Sequence, residues 1–331
     1  MFARSLPRCG LAAAVVVLSV SIGCGSESPT APGPSLPPTP GPSQVTITGR
    51  VTATNGGQPL ADLTVDFSGT PAGTTDRDGV FRWTTPPAGV RILNLTGSRV
   101  VPRSVAVDAG RTRDVALDAI ASSGEFDLGF YSQLVRNGFE APAALQPLRR
   151  WTRNVSFYLR TVDETGAPVD ARTLANTERT LLESVPAWTG GNLTATVIRG
   201  TESRVGQSGW ITVRWPAIVP VDSLTYCGLA QIAVDGGWID LQRDTQRRCG
   251  CNGVADVRPR TVRHEVGHAM GFRHTDGSQD LMHTPAAGCD ASLSPREAFH
   301  AAIAYQRPVG NTDPDTDPAG IVTLAPLRAI P

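Results

Sequence analysis

Four of the five histidines of this chain lie in one short stretch, RHEVGHAMGFRHTDGSQDLMH, at positions 263–283. If the stretch begins as an α-helix, His264 and His268 are at positions i and i+4 and lie on the same face. Gly271 can adopt a left-handed conformation, so it can end the helix and turn the chain sharply. The turn would carry His274 back to that face. The spacing therefore predicts three imidazoles around one point.

Three neutral imidazole nitrogens are a typical ligand set for catalytic zinc, because they leave the fourth position of a tetrahedral ion open for water. Zinc lowers the pKa of that water to about 7, which makes a nucleophile available at neutral pH. Glu265 would project beside the same helix face, where its carboxylate can accept the proton of the zinc-activated water. We therefore predict that His264, His268 and His274 bind zinc and that Glu265 is the general base.

The motif HExxHxxGxxH, which begins at His264 and is followed by Met282, resembles the signature of the metzincin clan of zinc endopeptidases. The spacing from the third histidine to the methionine is similar to that of the matrixin branch. The resemblance covers residues 126–305. It implies that Met282 forms a Met-turn beneath the metal. It also implies that an extended polypeptide substrate binds along an edge strand near residues 230–241, by β-augmentation.

Residues 1–24 carry arginines before an apolar run, which is typical of a secretory signal peptide. They end in SIGC, which resembles a bacterial lipobox and implies that Cys24 becomes lipidated. Serine stands three residues before the cysteine, where that box usually has leucine, so ordinary cleavage and full secretion stay open. Residues 25–44 are rich in proline and serine and predict an extended linker.

Residues 45–121 alternate apolar and polar positions between Asn-Gly and Asp-Gly turns, a pattern that predicts an antiparallel β-sandwich. The segment resembles the carboxypeptidase regulatory-like, transthyretin-like family of β-sandwiches. The residues that match are turn and core residues, so the resemblance implies a fold and no chemistry. We expect this domain to be a spacer rather than a binding module.

Residues 122–305 predict a second domain of a different class. Strand patterns, a helix that begins after Asp170 and is ended by Pro186, and a last helix with Pro295 in its first turn predict a mixed sheet with helices. The resemblance adds the active-site helix and the Met-turn. The expected fold class is therefore multidomain: an N-terminal all-β sandwich followed by an α+β metzincin-like catalytic domain with a mixed twisted sheet.

Residues 306–331 are punctuated by prolines and predict an irregular C-terminal tail. Three acidic residues of this tail, Asp313, Asp315 and Asp317, are spaced two residues apart. We expect them to be solvated, and a calcium site formed by their carboxylates is the alternative.

Four cysteines, Cys227, Cys249, Cys251 and Cys289, lie in one region of the second domain. In an exported chain we expect them to form two disulfides. A bridge between Cys249 and Cys251 is disfavoured, because one intervening residue strains its geometry, and the other two pairings stay open. The alternative is a cysteine-based zinc site, for which the spacing Cys-Gly-Cys is unusual.

Thirty basic and thirty acidic residues give a formal net charge of +0, so no overall field favours nucleic acid or an anionic membrane surface. We expect a polypeptide substrate, no nucleic-acid partner, membrane contact only through the lipid anchor, and a monomer. His283 and His300, which are outside the zinc pattern, are expected near the rim of the cleft or on a helix surface.

The predicted function is that of an exported zinc-dependent endopeptidase, held at the bacterial cell envelope as a lipoprotein or secreted. Two alternatives stay open. A surface-binding or adhesion lipoprotein would keep the zinc site but have little turnover, and the intact Glu265 argues against it. An exopeptidase is the weaker alternative, because the carboxypeptidase-like domain is accessory and the histidine motif is typical of endopeptidases.

Overall fold

The computed structural model describes residues 46–321 apart from short gaps. The gaps are at residues 55, 85, 87–88, 111–113, 123, 217–219, 222–223, 233–234, 244–248, 252–256 and 285–287. All described residues belong to one compact unit, Gln44–Pro331. The predicted signal peptide, linker and Cys24 lie outside the described residues. Within the described ranges, no helix is both long and apolar enough to span a membrane.

Seven strands in the first part of the described chain form two sheets. They are β1 (Thr46–Ala53), β2 (Thr64–Phe67), β3 (Thr70–Thr74), β4 (Val80–Thr84), β5 (Val90–Thr96), β6 (Arg103–Asp108) and β7 (Asp114–Ala119). One sheet has the order β4-β1-β7 and the other has the order β3-β2-β5-β6, and every pair is antiparallel except β1 with β7. Inward-facing residues of both sheets, such as Val51 and Val65, are buried in one shared core, which makes the pair a β-sandwich.

The rest of the described chain combines short strands with helices. The elements are α1 (Leu128–Arg136), β8 (Val155–Arg160), α2 (Ala171–Thr189), β9 (Ala195–Gly200), β10 (Trp210–Arg214), β11 (Pro220–Val221), β12 (Leu224–Thr225), β13 (Gly228–Ala230), β14 (Gly237–Leu241), α3 (Pro259–Ala269) and α4 (Pro295–Ala304). Five strands form a sheet of order β13-β14-β10-β8-β9, in which only the edge strand β13 is antiparallel to its neighbour. Strands β11 and β12 pair with each other. The described chain thus contains both helices and strands, with the strands in several sheets, which agrees with the predicted α+β class.

The stretch that was expected to be one edge strand near residues 230–241 divides into two strands. The chain turns back after Ala230, so Gly237–Leu241 becomes the inner strand β14, between β13 and β10. The edge of the sheet is therefore formed by Gly228–Ala230, slightly earlier in the chain than predicted.

Helix α2 continues through Pro186, so the prediction that this proline ends the helix is wrong. The helix reaches Thr189, and Trp188 in its last turn is completely buried. The indole N–H of Trp188 donates to the carbonyl oxygen of Arg263 in α3 at 3.0 Å. This packing offsets the backbone hydrogen bond that proline cannot make.

The described part of the tail after α4, which ends at residue 321, is irregular but partly buried. Asp315 and Asp317 are 1% and 8% exposed, so the prediction that they are solvated is wrong. Their carboxylates contact the guanidinium groups of Arg103 and Arg307. Both guanidinium groups also contact Asp118 of β7. We call these five residues the arginine–aspartate cluster. Its arginines pair with the carboxylates that would have to bind a calcium ion.

His300 of α4 is completely buried, so the prediction of a rim or surface position is wrong. Its ring packs against Phe126 and Phe130. Its Nδ1 donates to the carbonyl oxygen of Arg296 at 2.7 Å, and its Nε2 accepts the backbone N–H of Asp127 at 2.9 Å. Because Asp127 caps α1, this histidine is a structural link between α1 and α4.

Candidate metal centre

Helix α3 packs against α2 and against strands β13 and β14, and it carries His264 and Glu265, each 5% exposed. The helix ends two residues before Gly271, whose φ of 110° is a conformation that side chains rarely adopt. A Cβ at Gly271 would also collide with the carbonyl oxygen of Arg149. The turn therefore requires glycine, and it brings His274 back beside the helix.

The rings of His264, His268 and His274 converge, with one nitrogen of each within 4.8 Å of the others. The Nδ1 atom of each ring lies at hydrogen-bond distance from an oxygen. In the same order, these oxygens are the carbonyls of Leu281 (2.7 Å) and Phe272 (2.9 Å) and the carboxylate of Glu140 (2.6 Å). Because these oxygens accept hydrogen bonds, each Nδ1 holds the ring proton. In a neutral ring, Nε2 therefore carries the free lone pair.

Two of these lone pairs face each other, because the Nε2 atoms of His268 and His274 are 3.1 Å apart. In neutral rings neither Nε2 carries a proton, so a cation bound by both nitrogens would stabilise the arrangement. Burial lowers the pKa of His264 to about 4 and lowers the pKa of His268 well below its usual range. Both rings are thus kept neutral, the state in which imidazole binds metals. The donor set fits zinc.

Glu265 follows His264 in α3, and its Oε2 has no hydrogen-bond partner among the described residues. Burial raises the pKa of Glu265 to about 8, and the charge of Asp240 adds to the increase. Gly228 of β13 leaves room for this carboxylate, since a Cβ there would lie 2.5 Å from Glu265 Oε1. An unpartnered buried oxygen is costly, so the site suits a bound water or a polar group of a substrate.

The predicted Met-turn packs against α3. Met282 is completely buried, and a Cβ at Gly267 of α3 would lie 2.7 Å from its sulfur atom. The backbone N–H groups of Leu281 and Met282 donate to the carboxylate of Glu297 in α4 at 2.9 and 2.8 Å. Since the carbonyl of Leu281 is the acceptor for His264, Glu297 holds the backbone that orients the first histidine.

Disulfides join Cys227 to Cys249 and Cys251 to Cys289. The prediction of two disulfides is confirmed, and the pairing is one of the two that stayed open. Each of these four cysteines is part of a disulfide, so none of them has a free thiolate to bind zinc. The bridges tie the segment before α3 to the start of β13 and to the segment after the Met-turn.

Two acidic residues of this region were missed by the sequence analysis. Glu297 forms a capping box with Ser294 at the start of α4, and the spacing of that pair is a visible signal. Glu140 has no comparable signal, because it lies in the loop after α1, 134 positions before His274. His283 is half-buried, and its Nδ1 lies 3.3 Å from a backbone carbonyl, outside the group of three histidines.

Comparison with known proteins gives one family match. The model of the family described as "Metallo-peptidase family M12B Reprolysin-like" matches residues 217–275, which is under a fifth of the chain. The matched segment includes the three histidines and Glu265, and it ends before Met282. No curated protein matches the chain. The family match and the histidine group together fit a metzincin-like zinc metallopeptidase.

Two solved structures show a limited likeness. Both are type II cohesin–X-dockerin complexes from Acetivibrio cellulolyticus, one a C-terminal and one an N-terminal interface mutant. The identities are 22% and 21%, and each alignment covers 25% of this chain and 61% of the other chain, with a TM-score of 0.20. The chain thus spans less than two thirds of the length of these proteins.

Proposed function

We propose that this chain is an exported zinc-dependent endopeptidase that cleaves internal peptide bonds of an extended polypeptide. One observation carries the proposal: three imidazole nitrogens converge, and Glu265, the residue after the first of these histidines, has a buried carboxylate oxygen with no partner among the described residues. A structural zinc site would close all four positions with protein ligands. Here the described residues supply three nitrogens, and the neighbouring group is a base.

Zinc, when bound by His264, His268 and His274, would supply Lewis-acid chemistry and a water of lowered pKa. The chain's own contribution is the proton transfer. Glu265 Oε2 would accept the proton of the attacking water and later donate it to the nitrogen of the leaving amine. Burial in α3 keeps this carboxylate in one place, and Gly228 gives it room to do so.

The substrate would bind along strand β13 as an additional antiparallel strand. Gly228–Ala230 is the edge of its sheet, and Leu229 in it is 54% exposed. Gly228 lies against Glu265, so a peptide hydrogen-bonded to this edge would pass the proposed base. Backbone hydrogen bonds to an edge strand bind peptides with little dependence on their sequence. We expect a monomer without a nucleic-acid partner.

Finer features of the proposal rest on the sequence pattern. The matrixin-like branch is supported by the spacing of Met282, which lies outside the segment that the reprolysin-like family matches. The carboxypeptidase regulatory-like family is supported by the turn and core pattern of the sandwich. Export is supported by the two disulfides, which are typical of oxidising compartments. A lipid anchor at Cys24 would be tested by fatty-acid labelling, which Cys24→Ser should abolish.

The deciding experiment measures cleavage of casein by the purified chain with zinc and with a chelator. We expect zinc-dependent cleavage in the native chain. Glu265→Gln leaves the three histidines untouched, so zinc should bind at near-native occupancy while kcat falls by about 10²–10⁴. His268→Ala is the matched control, because it should lower both zinc content and activity.

Activity of Glu265→Gln close to that of the native chain, at one zinc per molecule, would contradict the role of Glu265. Zinc binding without any cleavage by the native chain would favour the alternative of a surface-binding lipoprotein. Preparations of all three proteins should be compared side by side, because a contaminating protease would give equal activity in each.

A further inference from the structure

The third histidine differs from the other two in what holds its ring. His264 and His268 donate their Nδ1 protons to backbone carbonyls of the Met-turn and of the turn after α3. His274 instead donates to a side chain, the carboxylate of Glu140, at 2.6 Å. The side chain of His274 is 24% exposed, whereas His264 is buried, so water can reach the ring of His274 more easily than that of the first histidine. A protein acceptor for the Nδ1 proton is therefore more important for His274 than for the other two histidines.

Glu140 is carried by a loop that folds back on α1. Asn137 ends α1 in a left-handed conformation with a φ of 62°. The N–H of Gly138 then donates to the carbonyl of Ser132, and the N–H of Ala141 donates to the carbonyl of Asn137, both at 2.9 Å. These hydrogen bonds fix the backbone on both sides of Glu140, so its side chain extends from a defined backbone position.

The same region also holds the chain on both sides of His274. The N–H of Arg273 donates to the carbonyl of Leu134 in α1 at 2.8 Å, and its guanidinium group donates to Gln146 Oε1 at 2.6 Å. On the other side, the N–H of Asp276 donates to Gln133 Oε1 at 3.1 Å. Helix α1 and its following loop thus bracket the backbone of the third histidine, and Glu140 adds the contact to its ring.

We propose that Glu140 is a positioning residue for the zinc ligand His274. The inference rests on the proposed zinc site. By accepting the Nδ1 proton, the Glu140 carboxylate fixes the tautomer that leaves Nε2 free, and it fixes the plane of the ring. It also makes the imidazole a stronger electron donor, as carboxylates behind metal-bound histidines do. The segment that follows the β-sandwich is then part of the metal centre, although it lies outside the histidine motif.

The test measures the zinc dissociation constant of the full chain by competition with a chromophoric chelator. Glu140→Ala removes the acceptor, and we expect zinc to bind about 10–100-fold more weakly. Glu140→Gln keeps an oxygen that can accept the same proton but removes the charge, so its affinity should lie between those of the native chain and Glu140→Ala. A cobalt-substituted sample should show a changed visible spectrum in Glu140→Ala, because the ligand field depends on the position of the His274 ring.

Asp276→Asn is the matched control. Asp276 is exposed and two residues from His274, so this change removes a nearby negative charge without removing a contact to the ring. We expect its zinc affinity to match that of the native chain. Equal affinity in Glu140→Ala and the native chain would overturn the assignment, and so would an equal loss in Asp276→Asn.

The outcomes separate this inference from the proposed function. A native chain that binds zinc tightly but cleaves no peptide overturns the endopeptidase, while the affinities of the Glu140 variants still decide the role of Glu140. A native chain that binds no zinc overturns both.

Discussion

The three-histidine centre and the arginine–aspartate cluster are both buried and polar, yet they are built in opposite ways. In the cluster, each carboxylate has a guanidinium partner: Asp118 and Asp315 contact both arginines, and Asp317 contacts Arg103. Burial alone would raise the pKa of Asp118, but the charges of Arg307 and Arg103 outweigh burial and lower it. The two arginines thus compensate Asp118, whereas burial raises the pKa of Asp317 despite its contact with Arg103.

The histidine centre contains a buried polar atom that has no partner among the described residues. Two Nε2 lone pairs face each other, and Glu265 Oε2 has no partner among the described residues. No arginine of the described ranges pairs with Glu265, whose pKa is raised by burial. Buried polar groups without partners are rare in native proteins and need a reason. The comparison indicates that paired burial serves structure in the cluster, whereas unpaired burial at the centre is kept open for a ligand.

The largest effect on stability is expected from Arg307→Ala. The change leaves the buried Asp315 and the half-buried Asp118 without one of their partners, and breaking a buried ion pair costs about 3–5 kcal/mol in the free energy of unfolding. Equilibrium unfolding in urea measures this loss. Because the cluster is closed and separate from the histidines, the zinc affinity of the folded variant should be unchanged.

Arg307→Lys is a more conservative change at the same position. Lysine keeps the positive charge but lacks the forked guanidinium group, which contacts two carboxylates and Thr54. It should fall between the native chain and Arg307→Ala in stability. A loss of zinc affinity in folded Arg307→Lys would contradict the division between a structural cluster and a binding centre.

The opposite sign is expected for Glu265→Gln in the metal-free chain. The pKa of Glu265 rises from 4.5 to about 8 on folding, so between these pH values the folded state holds a proton that the unfolded state has lost. The native chain should therefore lose stability as pH rises through this window. Glutamine does not titrate, so the variant should be more stable than the native chain by about 1–3 kcal/mol at pH 9, given 1.36 kcal/mol per pKa unit and partial relaxation of the site.

The measurement is the difference in unfolding free energy between Glu265→Gln and the native chain, both without metal, at pH 5 and at pH 9. The histidines titrate in both proteins, so their contribution cancels in the difference. The gain should be small at pH 5 and should appear as pH rises. A difference that does not change with pH would show that the charge of Glu265 is already compensated by the protein. The histidine centre would then resemble the arginine–aspartate cluster.

The sequence predicted the histidine centre well because its determinants are local. His264 and His268 lie one helical turn apart, and Gly271 is the residue that the turn after α3 requires. These features depend on helix geometry and on one backbone conformation, both of which can be inferred from spacing. Two disulfides among four cysteines were predictable for the same kind of reason, since the single residue between Cys249 and Cys251 disfavours one pairing.

The features that were missed depend on residues far apart in the chain. Nothing near Asp315 indicates that Arg103, 212 positions earlier, will reach it, and solvation was the wrong expectation. Glu140 is likewise 134 positions from His274. Pro186 was misjudged because the burial of Trp188, which keeps α2 going, depends on α3. In each case a tertiary contact overrode a local rule.

The smallest effect is expected from an ion pair that is not buried. Arg199 of β9 and Glu178 of α2 are in contact, but their side chains are 40% and 30% exposed. Water and salt screen such a pair, so a double-mutant cycle with Arg199→Ala and Glu178→Ala should give a coupling of about 0.2–1 kcal/mol, which 1 M salt reduces further. The same cycle on Arg307 and Asp315 should give a larger coupling with less dependence on salt, because those groups are 0% and 1% exposed. Equal couplings in the two cycles would mean that burial does not strengthen the ion pairs of the arginine–aspartate cluster. The contrast with the histidine centre would then need a different physical cause.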